Sequence, residues 1–314
     1  MDRSPRVLSS SVVNNGLMSE NYYLPSTNIL FTVIPKTGCT SLENYLFDIE
    51  QISSGKTPKN LSEVGLGFGI HGLPELQRHR ITNRDRSKLG GALKILVLRN
   101  PYNRILSAWL NKFLYAQGDF RIFSEHRKEP FTPVRFETVA DLNVFFEAFL
   151  LRLSKDPDFL NSDGHWRPQS KFVSDAREFD MVFETSSLST LQGALARIPR
   201  LTAITENRPV PKLNATRPAL EGLIGSEAAW LLVDEIYSDD FELLASVGLV
   251  DQTPPAPTLL SEQQQSVILA NEVPVIFSSR FADQADFLDL IKSSRSWRWT
   301  EWLRRLSAPI FRGR

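Results

Sequence analysis

NILFTVIPKTGCTS, residues 28–41, decides the fold. Residues 28–34 are a short apolar run rich in β-branched side chains, the pattern of a buried strand. Pro35, Lys36, Thr37 and Gly38 then break the run. From Thr40 the period changes, and Leu42, Tyr45, Leu46 and Ile49 fall on one helical face. The reading is strand, turn, helix. Gly38 lets the backbone come close to an anion. Thr37, Thr40 and Ser41 offer hydroxyl donors, and Lys36 adds a full charge. The helix that starts here aims its unpaired N–H groups and the positive end of its dipole at the same place. Taken alone, the same residues also describe an ordinary strand–helix turn with a capping threonine.

The turn is not a Walker A loop. That loop needs glycine, lysine and Ser/Thr in this order after an earlier glycine. Here Lys36 precedes Gly38, and no glycine stands four residues before the lysine. A nucleotide triphosphatase or P-loop kinase of unusual sequence is therefore the weaker alternative.

Working outward, residues 92–98 (ALKILVL) read as a second buried strand, and Asn100-Pro101 as the cap and first turn of a helix. That helix runs through Ile105, Leu106, Trp109, Leu110 and Phe113, with Gly118 as its stop. Residues 141–151 and 188–198 are helical, and 226–245 is a helix broken near Tyr237. Residues 179–184 (FDMVFE) are a third strand, and 52–69 read as loop. Strands alternating with helices predict an α/β fold, a P-loop-like parallel sheet with helices on both faces. Ligands of such sheets bind beyond the carboxyl ends of the strands, where both turns lie.

Composition sets the outer limits. The chain has 314 residues, 42% apolar and 23% charged, which suits one α/β domain with a large core. Thirty-six basic residues balance 36 acidic ones, so no global field draws in a polyanion, and nucleic acid is not an expected partner. Cys39 is the sole cysteine, which forbids an internal disulfide and fits a reducing compartment. Residues 1–24 carry no apolar leader pattern, and no run is long enough to span a bilayer. The sequence thus predicts a cytoplasmic enzyme. It divides into a flexible arm (1–25), a catalytic domain (26–291) and a basic, Trp-rich tail (292–314).

The second turn reads RNPYNRILS, residues 99–107. Arg99 leaves the strand at its carboxyl end. Ser107 lies two turns into the helix, with Arg104 three residues before it on the same face. Arginine's planar fork suits an oxyanion. A capped helix with solvated arginines is the plainer reading of these residues alone.

Together, PKTGCTSL and RNPYNRILSAW resemble the two signatures of sulfotransferases that use 3′-phosphoadenosine-5′-phosphosulfate (PAPS), in particular the carbohydrate group of sulfotransferase family 2. HWRPQ (165–169) and IYSDDFE (236–242) resemble two later patterns of that group, and the likeness runs from about residue 28 to about 245. The resemblance implies that Pro35, Lys36, Thr37, Gly38, Cys39, Thr40 and Ser41 hold the 5′-phosphosulfate side of the donor. It implies that Arg99 and Ser107 hold the 3′-phosphate, and that the acceptor is a hydroxyl of a carbohydrate or glycolipid. A non-catalytic glycan-binding protein on the same fold is the further alternative.

Sulfuryl transfer, like phosphoryl transfer, rests on positioning and charge stabilisation. Lys36 and the helix N-terminus can meet the charge that develops on the leaving phosphate. No metal is expected, since the four histidines and one cysteine form no ligand cluster. His71, 28 residues before Arg99, is the candidate general base, because histidine titrates near neutral pH. His165 is a second candidate and, with Trp166 and Arg167, a wall of the acceptor pocket. Glu184 stays open as a carboxylate base, while His79 and His126 read as surface residues. The segment 117–136, with Arg121, Arg127, Lys128 and Arg135 among aromatics, reads as an acceptor rim or a solvated connection. The tail holds seven Lys/Arg and three tryptophans. It can lie on the inner membrane face, pack on its own domain or join a homodimer.

Overall fold

The computed structural model describes residues 20–58, 70, 73–86, 88–114, 138–213, 218–250, 252–258 and 260–269. Five strands, β1 (Glu20–Leu24), β2 (Ile29–Val33), β3 (Arg80–Ile81), β4 (Leu93–Leu98) and β5 (Met181–Glu184), form one sheet in the order β3-β1-β2-β4-β5. β2, β4 and β5 are parallel, as expected, with Phe31 opposite Ile95 and Ile95 opposite Met181. β1 pairs antiparallel with both β2 and β3, so it alone runs against the others and the sheet is mixed.

β1 corrects only the end of the stretch read as a flexible arm (1–25), since Glu20–Leu24 is a strand and residues 1–19 lie outside the described residues. Glu20-Asn21-Tyr22-Tyr23-Leu24 looks polar, yet Tyr22 and Leu24 are fully buried and Tyr22 stacks on Phe31 at 5.1 Å. The hairpin back to β2 is tied from outside. Glu50 accepts from the Ser26 and Thr27 N–H groups at 2.9 and 3.0 Å and from Thr27 Oγ1 at 2.9 Å. A buried carboxylate given three donors is stable where an unpaired one would not be.

Strand alternation sends side chains to two cores. Ile29, Phe31 and Val33 of β2 and Ile95 and Val97 of β4 pack against Leu42, Leu46 and Ile49 of α1 (Cys39–Ser53). Leu96 and Leu98 point the other way, onto Val173, Ala176, Leu243 and Leu244. A third core joins α2 (Pro101–Trp109), α3 (Val139–Lys155) and α4 (Glu227–Ile236) through Ile105, Trp109, Phe146, Leu150 and Val233. Each such side chain contributes about 1.5–3 kcal/mol by leaving water.

The helices begin where their caps demand. Asn100 accepts from the Tyr102 and Asn103 N–H groups, with Pro101 in the first turn, as the sequence predicts. Thr138 and Asp141 form a capping box at the head of α3. Tyr237 breaks the long C-terminal helix into α4 and α5 (Ser238–Ala245), also as read. Two readings change. α2 ends at Trp109 and continues as a π-helical turn, Leu110–Leu114, and Gly118 lies outside the described residues. The helix expected over 188–198 is a 3₁₀ segment, Thr185–Thr190, followed by a short helix, Leu191–Ala196. Among the described residues, no helix is long and apolar enough to cross a membrane.

Candidate functional site

The first turn joins β2 to α1 at the carboxyl edge of the sheet. It is bent by two residues of left-handed backbone, Lys36 at φ 71° and Gly38 at φ 77°. The conformation costs nothing at glycine but about 1–2 kcal/mol at lysine, a strain of the kind that gathers at functional sites. Thr37 closes the turn: its Oγ1 donates to the Ile34 carbonyl at 2.8 Å. Thr37 is therefore buried structure rather than the outward donor expected of it. Ser41 is also buried and accepts from the Leu213 N–H at 3.0 Å. Pro35, Cys39 and Thr40 are half-buried. A methyl group on Gly38 would press on Leu188 Cδ2 at 3.2 Å and Thr185 Cγ2 at 3.4 Å. This glycine thus serves both the bend and the approach of the segment after β5.

Burial pushes the Lys36 ammonium down to about 7 from its usual 10.5, with Lys112 and Arg99 adding repulsion. A cation so poorly solvated gains from any anion that arrives.

The second turn is fastened by parts of the chain far away in sequence. Gln169 grips the Arg99 backbone with both ends of its amide: Oε1 accepts from the Arg99 N–H at 3.0 Å, and Nε2 donates to its carbonyl at 2.9 Å. Asp240 of α5, fully buried, holds Gln169 in turn by accepting from the Gln169 and Ser170 N–H groups at 2.8 Å each. Tyr237 O–H donates to the Trp166 carbonyl at 2.6 Å. The HWRPQ and IYSDDFE stretches therefore act as one clamp behind the second turn.

Two arginines then bind turn to turn. Arg99 Nη1 donates to the Lys36 carbonyl at 3.1 Å, and its other end lies 3.8 Å from Glu221. Arg104, 1% exposed, donates to the Pro35 carbonyl at 3.1 Å and to the Gly164 carbonyl at 2.9 Å. Burial lowers the pKa of both, but Glu221 and Glu184 favour the cation at Arg99, as Asp240 and Tyr237 do at Arg104. Arg104 is thus an internal brace, neither solvated nor aimed at a ligand. Ser107 is buried in α2.

The remaining candidates separate. His71, His126, residues 117–136 and the tail 292–314 lie outside the described residues. His165 is half-buried, with Nδ1 2.5 Å from Asp163 Oδ1. Trp166 is no pocket wall: it is fully buried, donates from Nε1 to the Phe159 carbonyl at 2.8 Å, and packs on Phe149 and Phe159. Arg167 donates to the Asn161 carbonyl. Glu184 accepts from the Ser186 N–H at 3.0 Å and caps the segment after β5, which accounts for its carboxylate. His79 is half-buried, its Nδ1 3.1 Å from the Tyr23 carbonyl, and is not a simple surface residue. A cavity of about 470 Å³ lined by Ile224, Ser226, Trp230, Asp234 and Pro254 includes none of the turn residues.

Sequence reasoning missed Asp163, Gln169 and Asp240. Gln169 and Asp240 stood inside the quoted motifs, and Asp163 lay two residues before one of them, so adjacency was the available signal.

Two helix N-termini stand at the carboxyl ends of neighbouring parallel strands, with Lys36 and Arg99 between them. This is an α/β protein in which two helix N-termini, each favourable to an anion, open at one edge of the sheet. The model of the sulfotransferase family matches residues 21–245, and the chain belongs to that family, as a member of sulfotransferase family 2. It is a transferase of sulfuryl groups. No curated protein and no solved structure matches it.

Proposed function

We propose that the protein transfers the sulfuryl group of PAPS to a hydroxyl of a carbohydrate or glycolipid. The observation that carries the reading is the strained first turn, where a half-buried lysine with a depressed pKa sits at a helix N-terminus and is cross-linked to Arg99 through its own carbonyl. Such a site fits a 5′-phosphosulfate, because the α1 N–H groups are aimed before the ligand comes and an arriving anion favours the Lys36 cation. Arg99 and Ser107 sit one strand over and would hold the 3′-phosphate. The donor supplies an activated sulfuryl group on a good leaving phosphate. The chain's part is to align it, to neutralise the charge that grows on the leaving oxygen through Lys36, and to remove the acceptor's proton. The sequence assigns that last task to His71. The carbohydrate acceptor is supported by the likeness of residues 165–169 and 236–242 to the carbohydrate group.

The test is calorimetric binding of 3′-phosphoadenosine-5′-phosphate (PAP), the desulfated donor, without magnesium, beside ATP and 5′-AMP. Binding that needs the 3′-phosphate and falls about 10–100-fold in Arg99→Ala is expected, since a charge-assisted bond is worth about 1.5–3 kcal/mol. Absence of PAP binding by the folded protein overturns the reading, and magnesium-dependent ATP binding would replace it with a kinase.

A further inference from the structure

Charge is spread unevenly along the chain. Residues 218–279 hold ten carboxylates and no Lys, Arg or His, while residues 292–314 hold seven Lys/Arg and one Glu. The net charge of zero therefore conceals an acidic block and a basic one. Part of the acidic block is used internally. Asp240 holds Gln169, Glu221 lies by Arg99, and Asp239 pairs with Lys171. Glu227 and Glu235 of α4 are exposed and have no cationic partner among the described residues.

α4 turns one face to the cavity of about 470 Å³. Glu227, Trp230, Leu231 and Asp234 all line it, at i, i+3, i+4 and i+7, and Pro254 and Pro255 add to the lining. The Trp230 ring is fixed edge-on to Tyr102 at 5.6 Å and to Phe146 at 5.8 Å. Asp234 accepts from the Tyr102 O–H, so its carboxylate is held in place, and Leu231 is 63% exposed. None of the lining residues is basic. The hollow is apolar inside and acidic at its rim, which suits an apolar side chain flanked by cations.

The basic stretch has that pattern. Arg298, Trp302 and Arg305 stand at i, i+4 and i+7, an arginine one helical turn to either side of a tryptophan. Glu227, Trp230 and Asp234 stand at i, i+3 and i+7. Read in opposite directions the two series have the same spacing. An antiparallel helix would thus set Arg305 by Glu227, Trp302 by Trp230 and Arg298 by Asp234. The described chain also ends nearby: Leu269, 4% exposed, lies in the core that Ala229 and Val233 of α4 help to close. The 28 residues from 270 to 297 span about 40 Å even as helix, so reach is no obstacle.

We propose that residues 298–305 dock antiparallel on α4 of their own chain, with Trp302 in the hollow and Arg305 and Arg298 on Glu227 and Asp234. Trp302 would bury its ring against Trp230 and the prolines, and the arginines would form charge-assisted bonds at the rim. Covalent linkage through Leu269 gives this segment a higher effective concentration than that of another copy. The hollow adjoins the second turn. Gly222 in its wall follows Glu221, which lies by Arg99, and Pro254 follows Thr253, whose carbonyl accepts from Asn100 Nδ2 at 2.9 Å. The docked segment therefore covers walls that continue directly into contacts with that turn.

The experiment uses the full chain at about 1 µM, far below the effective concentration of a tethered segment. Glu227→Cys with Arg305→Cys is oxidised mildly, and mass mapping of the joined peptides tells this pair from Cys39. A disulfide within one chain should form about tenfold or more faster than from Glu242→Cys with Arg305→Cys, since Glu242 is exposed on α5, away from the hollow's lining. Charge reversal supplies a second readout. Trypsin cleavage within 292–314 should quicken about 3–10-fold in Glu227→Arg and in Arg305→Glu, and return near the wild-type rate when the two are combined. That rescue separates docking from a folding fault. Equal disulfide rates for the two pairs overturn the proposal, as does cleavage equally fast in wild type and Glu227→Arg. A disulfide between chains, read from a mixture with isotope-labelled chain, gives the hollow to a second copy instead. Protection from trypsin only on phosphatidylglycerol vesicles gives the stretch to a membrane, and either result also overturns it.

Discussion

The two turns of the site do similar work with different means. The first, residues 34–41, is made of consecutive residues: a strained lysine, a glycine, a threonine closing onto the Ile34 carbonyl, and a helix N-terminus. The second, residues 99–107, has a local cap in Asn100, but Arg99 is held by Gln169, 70 residues on, and Gln169 by Asp240, a further 71. The first turn is bent by its own residues, and Arg99 and Arg104 then tie its carbonyls from outside. The second is shaped by a brace that exists only once the chain has folded. Loss of the first turn's charge should therefore strike chemistry, and damage behind the second should strike stability and donor geometry together.

The largest effect expected is at the first turn. Lys36→Ala should lower kcat about 10²–10³-fold, the usual cost of removing one donor to a developing charge, with a much smaller loss of PAP affinity. Single-turnover kinetics beside PAP titration would read both, and equal losses would mean that Lys36 only binds. Next comes the brace. Asp240→Asn turns an acceptor into a donor opposite buried N–H groups, and should cost about 2–3 kcal/mol in urea unfolding while also weakening PAP binding. Stability lost with PAP affinity intact would sever the link between brace and turn.

Gly38→Ala comes third, at about 1–2 kcal/mol from its left-handed backbone, with the 3.2 Å approach of Leu188 adding to it. The smallest effect is a proton. Lys36 is largely neutral above its depressed value of about 7, and a bound phosphate favours its cation, so PAP binding should take up protons. Uptake should approach one proton near about pH 8, vanish at acidic pH where the amine is already charged, and disappear in Lys36→Met. Calorimetry in buffers of differing ionisation enthalpy measures it.

Legibility followed the same divide. Residues 28–41 and 92–109 could be read because their signals are local: an apolar run, a change of period, Asn-Pro at a helix start. β1 could not, because Glu20 and Asn21 make it look polar. Its place comes from Tyr22 packing on Phe31 and from Asn21 accepting from Thr32 Oγ1 at 2.7 Å. Trp166 was misread for the reverse reason. Its motif is adjacent to functional residues, but adjacency in sequence does not say which side chain turns inward.

The sequence by itself determined the α/β class, the two strand–turn–helix units and the lysine, glycine and arginine of the proposed anion site, because these depend on residues within a few positions of one another. Only the tertiary structure decided that the sheet is mixed, that Arg104 is a brace, and that Gln169 and Asp240 hold Arg99. Those are meetings of distant segments, set by which buried polar groups must find partners when the cores close.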